Sequence, residues 1–305
     1  MTMRCTATQA GRDVYALGEG PVWDPARERL LWVDIGAGAV HEGRLDPATG
    51  MIEAATLHTF EGTVGAVAVS AEGDLLVAEQ AVLTRVGAAG DRTELARVLP
   101  PGVRSRLNDG AVDPAGRFLV GSMALDDRKG REVLARLDGT ALVHLDEDLT
   151  LSNGLAWSPS GDRLYSVDSA SRVVWARDYD PATGRTGPRR ELFTLDDGPP
   201  GTLPDGMCAD AEGNLWIAVF GGGRVECRDP AGRLLAVVEV GAPKPTCPAF
   251  AGPDLDLLVI TTATENMSPQ ELAEHPGSGH LFTARVGVRG VPAPYWAPPI
   301  TPSVS

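Results

Sequence analysis

The feature that most restricts what this chain can fold into is a repeat. Segments anchored at Asp24, Ser70, Asp113, Ser158, Asp210 and Ala251 share one grammar, and successive anchors lie 46, 43, 45, 52 and 41 residues apart. A self-similar period of about 40–50 residues marks propeller blades and related arrays. In each unit a short apolar stretch runs into a polar turn, such as Asp113-Pro114-Ala115-Gly116 or Ser158-Pro159-Ser160-Gly161. A second apolar strand follows: Leu30 to Asp34, Leu75 to Ala78, Phe118 to Gly121, Leu164 to Asp168, Leu215 to Val219 and Leu257 to Thr261. Asp, Pro, Ser and Gly make tight turns, and apolar runs of four or five residues suit buried strands. Two further strands fit in the remainder of a unit, for example Val40 to Leu45 ahead of Asp46-Pro47-Ala48-Thr49-Gly50, and Val173 to Tyr179 ahead of Asp180-Pro181-Ala182-Thr183-Gly184. Four antiparallel strands repeated six times predict an all-β, six-bladed β-propeller forming a single domain over residues 1–305. The first 17 residues precede the first anchor. They are expected to add an outer strand to the last blade, closing the ring and removing a sheet edge.

Two positions inside the repeat carry more information than the strands. Two residues before each anchor stand Val22, Ala68, Ala111, Ala156, Cys208 and Ala249. All are small, as strands converging on an axis require. Five residues before the anchors stand Glu19, Gly65, Asn108, Asn153, Asp205 and Thr246. Residues at one offset in different blades point toward a common centre, so Glu19, Asn108, Asn153 and Asp205 would bring two carboxylates and two amide oxygens together. Hard oxygen donors suit a divalent cation of the Ca²⁺, Mg²⁺ or Mn²⁺ type. Gly65 has nothing to donate and Thr246 is a weak ligand. Taken singly, Asn108-Asp109-Gly110, Asn153-Gly154 and Asp205-Gly206 are ordinary turn signals. A turn does not explain Glu19, nor the same offset in four repeats.

Composition narrows the partners. The formal net charge is −14 and the pI near 4.8, which argues against a nucleic-acid partner and for cations. No stretch approaches the length of apolar sequence that spans a membrane, and the region 1–17 has no apolar core of a signal peptide. Cys5, Cys208, Cys227 and Cys247 form no closely spaced pair. The expectation is therefore a cytoplasmic protein with reduced thiols and no zinc ribbon. His41, His58, His144, His275 and His280 fall at unrelated offsets and are expected on exposed loops. Phe220-Gly221-Gly222-Gly223-Arg224 lacks the Lys-Ser/Thr ending of a phosphate loop and reads as a strand-to-strand turn. Trp23, Trp32, Trp157 and Trp216 read as core.

Several segments together resemble the SMP-30/gluconolactonase/luciferin-regenerating enzyme family. They are Gly18-Glu19-Gly20-Pro21-Val22-Trp23, Arg106-Leu107-Asn108-Asp109-Gly110 with Asp113-Pro114-Ala115-Gly116-Arg117, Ser152-Asn153-Gly154-Leu155-Ala156-Trp157-Ser158, and Pro204-Asp205-Gly206-Met207. The resemblance runs from about Glu19 to about Pro294. It implies a six-bladed propeller holding one divalent metal ion, Ca²⁺ first, with Zn²⁺, Mn²⁺ or Mg²⁺ as alternatives. It implies metal ligation by Glu19, Asn153 and Asp205, with Asp205 also the general base. It places Arg106 and Asn108 beside the substrate, Asn108 close to the metal, and Asp126 where the family often has a carboxylate for sugar hydroxyls. Leu125 departs from the pattern, standing where the best-known member has another acid.

The activity so implied is hydrolysis of a sugar lactone, a gluconolactone-like aldonolactone, to its aldonic acid. Two other readings share the scaffold: a non-catalytic calcium-binding regulatory protein, which would keep the ligands without needing Arg106, and a calcium-dependent phosphotriesterase-like hydrolase.

Overall fold

The anchor residues of the repeat are turn-formers by virtue of their side chains. Asp113 accepts hydrogen bonds at Oδ1 from the backbone N–H groups of Ala115 (2.9 Å) and Arg117 (2.8 Å). Asp210 does the same for Glu212 (3.0 Å) and Asn214 (2.9 Å), and the Ser70 hydroxyl serves Gly73 (3.2 Å) and Asp74 (3.1 Å). A short side chain that satisfies the turn's own N–H groups fixes a hairpin locally. The two Asp-Pro-Ala-Thr-Gly segments repeat even their bonds: Asp46 accepts from Ala48 and Thr49, and Asp180 from Ala182 and Thr183. Each ends on a glycine at positive φ, Gly50 at 76° and Gly184 at 69°, a conformation costly for any residue with a β-carbon.

The computed structural model describes residues 2–126, 128–195 and 201–299; the first residue and residues 300–305 of the expected domain lie outside it. Two short strands open the chain, β1 (Met3–Thr6) and β2 (Thr8–Gln9). The first blade holds β3 (Gly18–Asp24), β4 (Arg29–Asp34), β5 (Ala39–Leu45) and β6 (Ile52–Thr59), and the second β7 (Val64–Val69), β8 (Leu75–Glu79), β9 (Val82–Val86) and β10 (Arg92–Arg97). The third comprises β11 (Ser105–Val112), β12 (Phe118–Ala124), β13 (Glu132–Asp138) and β14 (Ala141–Leu149), and the fourth β15 (Ser152–Trp157), β16 (Arg163–Asp168), β17 (Val173–Asp178) and β18 (Arg190–Thr194). The fifth has β19 (Leu203–Ala209), β20 (Leu215–Phe220), β21 (Arg224–Arg228) and β22 (Leu234–Glu239); the sixth has β23 (Pro245–Ala251), β24 (Leu257–Thr262) and β25 (Phe282–Arg285). Between β24 and β25 a single-turn helix, α1 (Pro269–Glu274), is held by a capping box of Ser268 and Glu271.

The fold is a six-bladed β-propeller. Each innermost strand packs against those of both neighbours, and β23 packs against β3 to close the ring. Six apolar clusters occupy the six interfaces between blades. Trp32 and Trp216, both essentially without solvent exposure, anchor two of these interfaces. The amino-terminal segment behaves differently from expectation in one respect. The strand β2 completes the sixth blade beside β25 as foreseen, but β1 runs parallel to β22 and becomes a fifth strand of the neighbouring blade. The segment thus ties two blades together and covers the edge of β22 as well.

The carboxyl-terminal segment crosses the far ends of the innermost strands. Gly290 donates to Leu255 O, Trp296 to Val69 O and Ala297 to Gly116 O, while the Tyr295 hydroxyl bonds Asp24. Above this strap lies an axial cavity of about 360 Å³, lined by the small residues Val22, Ala68, Ala111, Ala156, Cys208 and Ala249. The glycine run 221–223 is the turn between β20 and β21. The histidines correct in part the reading of them as exposed loop residues: His41, His58 and His144 sit on strands, His41 stacks on Trp32 and His280 is buried, whereas His275 is exposed at the end of α1. The His41 ring packs against Trp32 and Tyr15, and His280 Nδ1 lies 2.9 Å from Asp13 O, contacts that offset counting does not register. The four cysteines form no disulfide. Among the described residues no helix is long and apolar enough to cross a membrane.

Candidate metal and substrate site

The repeat offset that carries the candidate ligands is the point at which every innermost strand breaks register. Pairing with the second strand of the blade slips between Glu19 and Val22, Val64 and Ala66, Leu107 and Gly110, Asn153 and Leu155, Pro204 and Met207, and Pro245 and Pro248. A bulge releases a residue from the ladder and re-aims its side chain. Six bulges at one level therefore break the ladder once per blade, and in four blades the residue at or beside the break is Glu19, Asn108, Asn153 or Asp205. The backbones crowd there. A β-carbon on Gly65 would overlap the carbonyl oxygens of Asn108 and Leu107, and one on Gly154 would meet Asp205 O. The second blade thus contributes no side chain at this level because its neighbour's backbone occupies the space.

Glu19 (β3), Arg106 and Asn108 (β11), Asn153 (β15) and Asp205 (β19) are all brought to this level and buried. The Asn153 amide donates to Asp205 Oδ1 and to Ser169 Oγ (3.2 Å). Its Oδ1 accepts from Gly154 N at 3.1 Å and keeps a second lone pair. Arg106 donates from Nη1 to Asn108 Oδ1 (2.7 Å) and to Leu107 O (3.0 Å), while Asn108 Nδ2 donates to Ser152 O (3.0 Å). Glu19 Oε2 accepts from Gly20 N at 2.8 Å.

A third carboxylate joins them that offset counting did not single out. Asp109 is buried and lines the axial cavity just below the others. The available signal was that it occupies the position held by Gly20, Gly154 and Gly206 in the other ligand-bearing repeats. Burial, reinforced by the charges of Asp205 and Asp109, pushes the Glu19 carboxyl well above its usual range. Burial and then Asp109 do the same to Asp205, and burial pushes Asp109 up to about 6. The cation facing these acids is Arg106, whose own pKa is lowered by burial against the favourable charges of Glu265, Glu19 and Asp205.

Three buried carboxyl groups against one guanidinium would, once ionised, leave an excess of two negative charges, the charge a divalent cation would neutralise. Buried charges are tolerated only when compensated. Among the described residues no trio of His, Cys, Asp or Glu closes on a single point; the grouping here mixes carboxylates with amides. The nearby sulfur, Cys247, is no thiolate, because burial and the neighbouring Glu19 and Asp109 push its thiol well up. An all-oxygen set with this charge deficit fits a hard divalent ion.

Asp126 is not part of this group. It stands beyond the end of β12, where Arg128 donates to it from Nε at 2.7 Å and holds its carboxyl below the usual range. Arg128 also reaches Arg104 O (2.7 Å) and Ser105 Oγ (3.1 Å), so the pair clasps the edge of β11 one residue from Arg106. Thr246, in the sixth blade, is fully buried and bonds Gly18 O.

Comparison with known proteins identifies the family. A family model described as the SMP-30/Gluconolactonase/LRE-like region matches residues 17–264. A 6-deoxy-6-sulfogluconolactonase of Pseudomonas putida is 37% identical, the alignment covering 97% of this chain and 99% of that protein. A pentonolactonase of Haloferax volcanii is also 37% identical, over 94% of this chain and 97% of the relative. Among solved structures, the calcium-binding protein regucalcin from Agrobacterium tumefaciens superposes with a TM-score of 0.88 at 28% identity, covering 97% of this chain and all of that one. The chain belongs to the SMP-30/gluconolactonase/LRE-like family.

Proposed function

We propose that this protein is a metal-dependent sugar lactonase, hydrolysing an aldonolactone to the aldonic acid. The observation that carries the reading is the gathering of three buried carboxyl groups around one guanidinium on the propeller axis, with burial and mutual repulsion opposing their ionisation unless a cation compensates, in a chain 37% identical to relatives named as lactonases. Glu19, Asn153 and Asp205 would hold the ion, Ca²⁺ by donor chemistry, with Mn²⁺, Mg²⁺ or Zn²⁺ as substitutes. When bound, a divalent ion supplies electrophilic polarisation of the lactone carbonyl oxygen.

The remaining chemistry falls to the side chains. Asp205 accepts the proton of the attacking water and returns it to the ring oxygen as the C–O bond breaks. A carboxylate has lone pairs on both oxygens, so one can serve the ion while the other takes the proton. Asn153, by donating to Asp205 Oδ1, sets which oxygen does which. Arg106 uses one of its nitrogens on Asn108 and Leu107 and has further N–H donors for ring hydroxyls, with Asn108 beside it. Asp126, kept ionised by Arg128, would accept from a hydroxyl at the far end of the sugar. Relatives named for a sulfonated hexonolactone and for pentonolactones define the substrate class to test.

The test is an indicator assay of proton release from glucono-, galactono-, xylono- and 6-sulfogluconolactone, with an organophosphate as the contrasting ester. The wild type should open at least one lactone. Chelation should abolish the rate and a divalent ion restore it. Asp205→Asn should lower the rate by about 10²–10⁴-fold, the range for a general base, with the circular dichroism spectrum unchanged. A full rate in Asp205→Asn would remove the base assignment. Metal uptake without turnover of any substrate would favour the binding-only role suggested by the Agrobacterium relative's description as calcium-binding.

A further inference from the structure

Blade six carries a threonine where four other blades carry ion-site residues, and the structure shows a different use for it. Thr246 and Thr261 are both completely buried. Thr246 Oγ1 lies 2.5 Å from Gly18 O and 2.7 Å from Thr261 Oγ1. Thr261 Oγ1 in turn accepts from Cys247 N at 3.1 Å. A carbonyl oxygen cannot donate, so the single proton of Thr246 goes to Gly18 O. The Thr261 hydroxyl then donates either to Thr246 Oγ1 or to Cys247 O, which also lies at 3.1 Å. The first choice completes a directed relay, from the Cys247 N–H through two hydroxyls to the Gly18 carbonyl, in which each bond polarises the next.

The carbonyl at the end of the relay belongs to the peptide that carries Glu19. Glu19 is flanked by Gly18 and by Gly20 at φ 54°, and the ladder of the first blade slips immediately after Glu19. A residue between two glycines at a bulge has little in its own sequence to fix its direction. A β-carbon on Gly18 would come within 3.1 Å of Thr262 O, a contact tight enough to disfavour a side chain there. We propose that Thr246 is a positioning residue for the ion site: blade six supplies no ligand but clamps, through its hydroxyl, the peptide that aims Glu19. This rests on the reading of Glu19, Asn153 and Asp205 as the ligands. It gives the contact between the last and first blades a role in metal affinity as well as in ring closure.

The experiment is calorimetric titration of chelator-stripped protein with Ca²⁺, Mn²⁺ and Zn²⁺ at a temperature where circular dichroism shows each variant folded. Thr246→Val keeps the shape and removes the hydroxyl. It should weaken binding by about 10–100-fold, the usual effect of losing a group that orients a ligand, while Thr246→Ser should bind as the wild type does. If Thr246→Val does not fold, Thr261→Val breaks the relay one link earlier and should weaken binding in the same direction. Equal affinity in Thr246→Val and wild type overturns the proposal, as does a Thr246→Ser variant as weak as Thr246→Val, or unchanged binding in Thr261→Val where that variant decides. A wild type that takes up none of the three ions overturns the ion site itself, and the positioning role with it.

Discussion

With no divalent ion bound at the proposed site, the protein's stability should fall as pH rises, and Asp109 gives the effect a size. Burial pushes its carboxyl from an ordinary 3.8 up to about 6. Between those two values the folded state holds a proton that the unfolded chain has released, so stability declines with rising pH. The contribution is fully present below the lower value and lost above the higher. At 1.36 kcal/mol per pH unit the loss comes to about 3 kcal/mol across pH 4 to 7. For a chain of this length, with an unfolding entropy of about 2 cal/mol/K per residue, that corresponds to about 5 °C in Tm. The assay is calorimetric or circular-dichroism melting of chelator-treated wild type and Asp109→Asn over that pH range. The wild-type Tm should fall by about 5 °C more than that of Asp109→Asn, because Asn cannot ionise and the substitution removes this group's own titration together with its repulsion of Glu19 and Asp205. Ca²⁺ should abolish the difference by compensating the ionised carboxylate. Parallel pH profiles for the two metal-free proteins would refute the argument that an uncompensated acid is buried at position 109.

Two further outcomes follow from the geometry. Arg106→Ala should raise KM for the lactone by about tenfold, the worth of a charge-assisted hydrogen bond. It should also tighten Ca²⁺ binding, since the guanidinium charge opposes the ion; calorimetry and steady-state kinetics read the two effects separately. Trp296→Ala should cost about 3–5 kcal/mol in urea unfolding, as expected for truncating a buried aromatic. It should leave the lactonase rate per folded molecule unchanged, because Trp296 is seated at the ends of the innermost strands away from the carboxylates.

Much of the fold was legible because its causes are local. An Asp or Ser that bonds its own turn's N–H groups is visible in Asp113 or Ser70 without any tertiary knowledge, and apolar strands beside such turns follow from the same short range. The candidate site was legible as far as rotation goes: identical offsets in repeats that turn about an axis must meet, which is how Glu19, Asn108, Asn153 and Asp205 could be picked out. The amino-terminal segment was legible only in part. Its capacity to pair as a strand is local, but the choice between the edges of β25 and β22 depends on which edges remain open once the ring has closed.

What the amino-acid sequence settled alone, then, is the six-fold repeat, its turns, and the oxygen-bearing residue types at one level of the axis, since these depend on chain periodicity and on side chains acting on their own backbone. Only the tertiary structure decided that Asp109 makes a third buried acid, that Arg106 is committed to Asn108, that Asp126 is held by Arg128 at the rim, and that Thr246 turns to Gly18 instead of the axis. The burial of Asp109 and the turn of Thr246 to Gly18 are fixed by neighbours from other blades, and the two contacts made within a segment, Arg106 with Asn108 and Asp126 with Arg128, form only where the assembled ring buries or flanks them. Burial and charge are properties of the assembled ring, so no single repeat contains them.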